Sequence, residues 1–296
     1  MGNFTLMAKK MLSGLPDKIY LQLYYFAKFK RPCNFKNPQT FNEKLQWMKL
    51  HDRKPIYSEL VDKYAVRQHI AAAIGETHLI PLVGGPWESF DEIDFDVLPD
   101  QFVLKCTHDS GGLVICRDKQ RLDKAAARMK IEKSLEHNYY LVGREWPYKL
   151  VKPRIIAEAY MEDENPALGL TDYKFFCFNG EPKLLYVSQG LEDHATASIS
   201  FYDMDGKDMP FHRSDYRPIA GGITLPENFS ELRETAQRLA KLANAPFVRI
   251  DLYSIWGKMY FSEVTYFPCG GFMSITPEEW DRTLGDWIQL PEITKG

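Results

Sequence analysis

The chain has no run of about 18 apolar residues, the length that a helix needs to cross a bilayer, so no membrane span is expected. It has little net charge: 37 Lys and Arg stand against 40 Asp and Glu, a formal balance of −3. No overall field draws it to nucleic acid, and any polyanionic ligand must be met by local cations. Cysteine is sparse and unpatterned. Cys33, Cys106, Cys116, Cys177 and Cys269 are odd in number and never spaced as a zinc site or a disulfide framework requires, which fits reduced thiols in a cytoplasm. The N-terminus lacks the apolar core and cleavage site of a secretory signal. Leu6 stands where a myristoylation signal opening on Met1-Gly2 would carry Ser or Thr. Internal repeats and low-complexity tracts are absent, and nothing in the sequence signals an oligomeric state.

What is present suffices for a large core. Over 296 residues, 45% are hydrophobic and 26% charged, a globular composition long enough for two packed lobes. Residues 1 to 50 read as helical. Ile19, Leu21, Leu23, Tyr24, Tyr25 and Phe26 among Lys18, Lys28 and Lys30 would suit a membrane-surface helix. Their apolar run is too continuous for a clean two-faced helix, which favours one packed on the main body. DKYAVRQHIAAA, from Asp62 to Ala73, predicts a helix ended by Gly75. Short β-rich segments follow between Gly, Pro and Asp turns: FVLKCT, GLVICR, RIIAEAYM, DYKFFCFNG and KLLYVSQG, with alternation that suggests antiparallel pairing. A helix over 228–243 after Pro226, with Phe229, Leu232, Ala236, Leu239 and Ala243 on one face, precedes a last hairpin, VRIDLYSIWGKMYFSEVTY. The expected organisation is α+β: a helical region 1–60, a first lobe 61–152, and a second lobe 153–296 from near Lys152-Pro153.

The hairpin holds the sharpest chemistry. Arg249, Asp251 and Tyr253 share a face of one strand, and Phe261, Glu263 and Thr265 are expected to share a face of the other. A turn at Ser254 to Lys258 puts Asp251 and Glu263 within about one position of opposition. Opposed carboxylates repel unless a cation lies between them, and oxygen ligands favour magnesium. The bland alternative is a pair of solvated carboxylates. In FVLKCTHDSGGLVIC, Lys105 sits in an apolar strand and needs an anionic partner. The Ser110-Gly111-Gly112 turn leaves backbone N–H groups free for phosphate oxygens. This is not a Walker loop, because GxxxxGK is absent and a strand follows. Lys174 shares a face with Asp172 and reads either as a salt bridge or as a third cation. Lys105, Lys174 and Arg249 together could meet a triphosphate, with Asp251 and Glu263 supplying the metal site.

The order of these motifs resembles the ATP-grasp superfamily: Asp62-Lys63, the Lys105 strand with its small-residue loop, the Glu-containing strand IIAEAYM, Asp172-Tyr173-Lys174, and the paired acids of the last hairpin. The wording KCTHDSGG, NYYLVGREWPYK, DYKFFCFNGEPK, VRIDLY and SEVTYFPCGG, from about Phe41 to Trp287, is similar to the TupA-like branch. That branch is named for teichuronopeptide synthesis and associated with bacterial capsule and surface polysaccharides. The resemblance implies ATP and Mg2+ between two β-rich lobes with flanking helices, behind a short helical N-terminal extension. Lys63 and Lys105 would hold phosphates, Ser110, Gly111 and Gly112 would close over them, and Glu158, Ala159, Tyr160 and Met161 would read the adenine. Asp251 and Glu263 would hold metal, while Lys174 and Arg249 offset charge in catalysis. The family pattern has Asn two residues after the Glu. Thr265 stands there with a weaker hydroxyl ligand, which leaves one magnesium on the carboxylate pair and a second open.

The implied reaction joins a carboxylate to an amine through an acyl phosphate, with ADP and phosphate released. The carboxylate would be a uronic acid of a surface or capsular glycan or its precursor, and the amine an amino acid. The setting is the bacterial cytoplasm, with peripheral association at the inner membrane face left open. Other readings are a kinase acting on a glycan, a glycosyltransferase and a non-catalytic binder. Asp203-Met204-Asp205 is an Asp-x-Asp triplet, and its segment DMDGKD reads as a turn rather than a calcium loop, since Ser214 replaces the closing Glu. His108 and Asp109 would touch phosphate or acceptor, or else brace their loop. Arg144, Glu145 and Trp146 suit a sugar or carboxylate, or else a packed Trp with an ion pair. Cys269 has no His partner placed by sequence and suits a tight loop better than nucleophilic catalysis.

Overall fold

A computed structural model of the chain describes residues 12, 14–163, 169–190 and 197–292. Most of the extreme N-terminal stretch expected to be helical, 1–11 and 13, lies outside them. In chain order the longer helices are α1 (Asp17–Phe29), α2 (Phe41–His51), α3 (Ile56–Val61), α4 (Val66–Ile74), α5 (Lys124–Leu135), α6 (Phe229–Ala243) and α7 (Glu279–Asp286). The strands are β1 (Leu82–Trp87), β2 (Phe102–Cys106), β3 (Leu113–Cys116), β4 (Ile155–Ala159), β5 (Asp172–Phe178), β6 (Glu181–Gln189), β7 (Ser198–Tyr202), β8 (His212–Arg213), β9 (Phe247–Ile255), β10 (Lys258–Thr265) and β11 (Ile275–Thr276). They form a four-stranded sheet ordered β1-β4-β2-β3, a five-stranded sheet ordered β10-β9-β5-β6-β7, and the small pair β11-β8. Every pairing between these strands is antiparallel. The architecture is α+β. Strand β4 follows Lys152-Pro153 in sequence yet pairs with β1 and β2, so the four-stranded sheet draws on both sides of that point.

Each sheet has its own core. Phe102, Leu104 and Cys106 of β2, with Ile155 and Ala157 of β4, pack with Ala127 and Ile131 of α5. The period of two sends Val103, Lys105, Ile156 and Glu158 to the opposite face. In the larger core, β5 is buried along its whole length. One of its faces lies toward α6, where Phe229 stacks on Phe175 with ring centroids 5.8 Å apart. Its other face runs from aromatic to charged. Phe176 and Phe178 pack with Phe247 and with Phe41 of α2, and Lys174 and Asp172 continue the same face. Apolar packing thus anchors one end of the strand and leaves the other for chemistry.

The N-terminal helices hold this core from outside. Thr40 and Glu43 make a capping box at the start of α2, which satisfies two of the N–H groups a helix leaves orphaned. Asn42 donates its backbone N–H and its amide to Asp281 of α7, at 3.0 and 2.9 Å. Gly285 permits the crossing, because a Cβ there would lie 2.7 Å from the Phe41 nitrogen and the Thr40 carbonyl carbon. Helix α1 buries Tyr20, Leu21 and Tyr25 but leaves Ile19, Leu23 and Phe26 exposed, so it both packs on the body and presents an apolar outer stripe. Gly285→Ala should cost about 1–3 kcal/mol through overpacking, measured as a lower urea midpoint. A midpoint equal to that of the unaltered chain would contradict this close approach.

Candidate active site

The hairpin β9–β10 turns through Trp256 and Gly257, both with positive φ, at 52° and 71°, the geometry that matches strand twist in a two-residue loop. That turn alone sets Ile255 opposite Lys258 and Leu252 opposite Phe261. Continued without interruption, it would pair Asp251 with Ser262 and send Glu263 to the far face of the sheet. An irregularity between Phe261 and Glu263 shifts the register by one, so that Glu263 lies opposite Asp251 and Thr265 opposite Arg249. Ser262 is the extra residue of a β-bulge. The bulge also corrects one expectation from the sequence. Phe261 does not share the face of Glu263 and Thr265; it joins the core with Val264.

The facing carboxylates have a cation between them. Arg249 Nη2 donates to Asp251 Oδ2 and to Glu263 Oε1, both at 2.7 Å, and its Nε donates to Asp251 Oδ1 at 2.7 Å. Lys174 Nζ donates to Asp251 Oδ2 at 2.9 Å and also to Asp172. Thr265 Oγ1 accepts from Arg249 and donates to Glu263, both at 3.0 Å. Burial pushes Asp251 up to about 6 against the pull of Arg249 and Lys174, so it remains ionised at neutral pH. Burial also pushes Glu263 up, but Arg249, Lys174 and Lys63 outweigh it and hold the carboxyl at about 2. Burial would discharge Arg249 and Lys174, yet their carboxylate partners raise both. The result is a paired ladder of two cations and three acids, counting Asp172, that carries one net negative charge.

This ladder borders a cleft of about 990 Å³ between the two sheets. Lys63, Lys105, Asp109, Ser110, Gly111, Gly112, Glu158, Ala159, Tyr160, Met161, Asp172, Lys174 and Glu263 all line it. Lys105 Nζ lies 2.6 Å from Glu158 Oε2. Burial pulls its pKa down, while Glu158, Tyr253 and Glu263 more than offset this and leave it raised. Arg67 of α4 is a residue the sequence reading missed. It donates to Glu158 Oε1 at 3.2 Å and to the Ile80 carbonyl at 2.9 Å. Nothing in its helical context marks it; only the pairing of β4 beside β1 brings it there. Tyr253 and Ser262 are further lining residues that were not singled out for the site.

Lys63 is pinned to the glycine loop. Its backbone N–H donates to the Thr107 carbonyl at 3.1 Å, and its ammonium donates to the Asp109 carbonyl. The preceding Asp62 accepts from Arg154 at 2.6 Å and caps the Tyr64 and Ala65 amides. Asp109 accepts from the Gly112 amide at 3.1 Å and from Ser134, and His108 Nε2 lies 3.0 Å from the Ser134 carbonyl. Both side chains brace the loop. A Cβ on Gly112 would lie 2.6 Å from Cys106 Cβ, while one on Gly111 meets nothing within 4 Å. Gly112 is therefore needed for packing, and Gly111 leaves open backbone.

The other candidates do not line this cleft. Arg144 stacks over Tyr20 at 4.4 Å and donates to the Leu15 carbonyl at 3.3 Å, joining the N-terminal helix rather than a ligand surface. Trp146 packs against Tyr57. Glu145 is buried, and burial pushes it up to about 7 against the pull of Lys49 and Arg249. Asp203 accepts from the Asp205 and Lys207 amides at 2.9 Å, which closes the DMDGKD turn on itself. Cys269 is exposed in a tight turn at φ 53°.

A model of the TupA-like ATPgrasp family matches residues 43–289. The chain belongs to the TupA-like ATP-grasp family. Its fold is the ATP-grasp fold, with the cleft between the two sheets. No curated protein matches it in sequence. Among solved structures, it is similar to D-alanine–D-alanine ligase from Bacillus anthracis complexed with ATP, at 14% identity and a TM-score of 0.38, over 70% of this chain and 54% of that one. It is also similar to the Helicobacter pylori D-alanine–D-alanine ligase, at 13% identity and 0.43, over 80% and 60%. A third is the ATP-grasp ligase PsnB complexed with a phosphomimetic variant of its minimal precursor, Mg and ADP, at 12% and 0.42, over 78% and 58%. The TupA-like chain spans between about half and three-fifths of the length of these proteins.

The donor set of this TupA-like chain suits magnesium, since carboxylates and a hydroxyl are hard oxygen ligands. Glu263 reaches the cleft with a side chain 36% exposed, whereas Asp251 is fully buried beneath Arg249. The low Glu263 pKa also has a sign. A carboxyl depressed below its usual value of about 4.3 lends stability above that value and loses it as the pH falls through about 2. Glu263→Gln should therefore show a shallower fall in Tm than the unaltered chain across that acidic window. An equally steep fall in both would mean that Glu263 is not held ionised by its neighbours.

Proposed function

We propose that this chain is an ATP-dependent carboxylate–amine ligase of the bacterial cytoplasm that works through an acyl phosphate. The observation that carries the reading is one cleft collecting Lys63, Lys105, the Ser110–Gly112 loop, the Glu158–Met161 segment, Lys174 and Glu263, with Arg249 and Asp251 joined to it through Glu263. In this reading the chain forms a first lobe over 61–152, completed by β4 from the start of the following segment, and a second lobe within 153–296, behind the helical region 1–60. Lys63 and Lys105 bind phosphates, the glycine loop supplies backbone donors, and Glu158, Ala159, Tyr160 and Met161 line the adenine side. Asp251 and Glu263, with Thr265 beside them, would hold magnesium, which when bound would neutralise charge on phosphate oxygens.

A substrate carboxylate oxygen attacks the γ-phosphorus, forming an O–P bond as the bond to ADP breaks. The amine nitrogen then attacks the acyl carbon, inorganic phosphate leaves, and the nitrogen loses a proton. Lys174 and Arg249 offset charge on the transferring phosphoryl group and on the tetrahedral oxyanion. The proposed carboxylate is a uronic acid of a surface or capsular polysaccharide or its precursor, and the amine an amino acid. Arg144, Glu145 and Trp146, the residues read from sequence as suited to a sugar or carboxylate, do not line the cleft, though Glu145 lies within reach of the charges of Arg249 and Glu263. His108 and Asp109 act by bracing the loop.

Incubation with ATP, magnesium, a uronic-acid glycan and mixed amino acids should release ADP and phosphate in step with an amide product. AMP release, or no dependence on acceptor, would overturn the ligase. A phosphorylated glycan without free phosphate would assign a kinase instead. Lys174→Met should lower kcat by roughly 100-fold to 1,000-fold, the usual cost of removing one donor to developing charge. Asp251→Asn and Glu263→Gln should abolish turnover while leaving the fold intact by circular dichroism. Full activity in either carboxylate variant would refute the metal assignment.

A further inference from the structure

Helix α1 presents two features that the cleft does not use. Of the ten large apolar side chains exposed among the described residues, Leu12, Ile19, Leu23 and Phe26 fall within one short stretch of chain. Ile19, Leu23 and Phe26 are 50%, 47% and 54% exposed. Their i, i+4, i+7 spacing places them on one stripe of the helix. The opposite side is already occupied: Tyr20, Leu21 and Tyr25 are buried in a small core with Cys33, Phe35 and Phe272. The stripe is therefore not a core face waiting for the body of its own chain.

The second feature is charge. Residues 12–36 carry five of the 37 basic side chains and one of the 40 acidic ones. That is a local balance of +4 on a chain of −3, so the remainder carries −7. The acid, Asp17, is paired with Arg53 at 3.0 Å. Arg31 is taken by Glu278 and Asp281 at 2.6 and 3.2 Å. Lys18, Lys28, Lys30 and Lys36 are all exposed, and none has a salt bridge among the described residues. Lys18 at the start of the helix and Lys30 at its end flank the apolar stripe, whereas Lys28, nine residues on from Ile19, lies on the opposite side of the helix and acts on Asp215. An apolar stripe edged by unpaired lysines, on a protein that is otherwise anionic, is complementary to one kind of surface: negatively charged headgroups over an apolar interior.

We propose that the outer face of α1 docks on an anionic lipid bilayer, with Ile19, Leu23 and Phe26 entering the headgroup–acyl boundary and Lys18, Lys30 and Lys36 meeting lipid phosphates. The docking is peripheral, since no helix of the described residues is long and apolar enough to cross a membrane. It goes beyond the ligase reading and stands without it, because binding needs no turnover. Through Phe272, whose ring lies 4.2 Å from that of Tyr24, the helix also contacts the segment that follows β10, so the docked face and the carboxylate hairpin belong to one packed unit.

The test is co-sedimentation of the full chain with vesicles of phosphatidylcholine alone or of phosphatidylcholine with phosphatidylglycerol. Binding should require phosphatidylglycerol and weaken as salt is raised. Leu23→Ser and Phe26→Ser should each weaken it by roughly tenfold or more, and Lys18→Ala and Lys30→Ala by roughly fivefold each. All four side chains are exposed, and an unchanged Tm will show that each variant folds. Absence of binding, equal binding to both vesicle types, or binding indifferent to the Leu23 and Phe26 changes would overturn the proposal. Self-association in sedimentation velocity that those changes abolish, without vesicle binding, would assign the stripe to a second copy of the chain.

Discussion

The guanidinium of Arg249 lying between Asp251 and Glu263 is the interaction on which the site depends. Two carboxylates brought face to face on adjacent strands cannot both stay ionised in a buried setting without a cation between them. Arg249 supplies that cation from the same strand, two residues from Asp251, with three bonds at 2.7 Å. A lysine could not do this with the same geometry, because the planar fork addresses both oxygens of one acid and one oxygen of the next. The arrangement keeps hard oxygen donors charged at neutral pH in a place where burial alone would protonate them.

That bridge is possible only because the fold solves a problem of register. The two-residue turn at Trp256-Gly257 fixes the hairpin, and the turn's own parity would send Glu263 away from Asp251. The bulge at Ser262 restores it. Around this point the central strand β5 carries aromatic residues at one end of its face and Lys174 and Asp172 at the other. The buried Phe176 and Phe178 therefore set where the Lys174 ammonium sits. Packing and electrostatics are successive positions of one strand, which is why the charged ladder can be rigid without its own loop.

Much of this could be read from the sequence. FVLKCT, RIIAEAYM, DYKFFCF and the last hairpin declare themselves by alternation, and their lysines and acids stand out because they interrupt apolar strands. The motif order gave the family. The bulge was not legible, since one extra residue in a strand leaves no compositional mark, and the count could place the two acids only to within a residue. Arg67 was hidden for a different reason. It looks like any polar residue on a short helix, and its role arises only when β1 and β4 pair and carry Glu158 beneath it. The strand LVGGPW was not singled out, and its glycines and proline carry little strand signal, although as β1 it occupies a sheet edge where proline is tolerated. NYYLVGREWPYK is a mixed case, since Glu145 feels the charges of Arg249 and Glu263 without lining the cleft. Its mixed chemistry suited a ligand, but Arg144 and Trp146 serve contacts with residues more than 80 positions away in the chain.

The N-terminal helices are part of the site's support. Lys49 of α2 is fully buried, and its ammonium donates to Gln46 at 2.9 Å and to the carbonyls of Gly143 and Gly270 at 2.7 and 2.5 Å. Gln46 in turn donates to the Gly271 carbonyl at 2.6 Å. The Gly270 and Gly271 carbonyls belong to the turn that carries the chain away from β10, where Cys269, Gly270 and Gly271 all take positive φ. A buried ammonium left without acceptors is costly, so Lys49 and this turn fix one another. The turn begins three residues beyond Thr265. A helix far ahead in sequence thus limits how far the end of β10 can move, and with it the distance between Glu263 and the arginine that bridges it to Asp251.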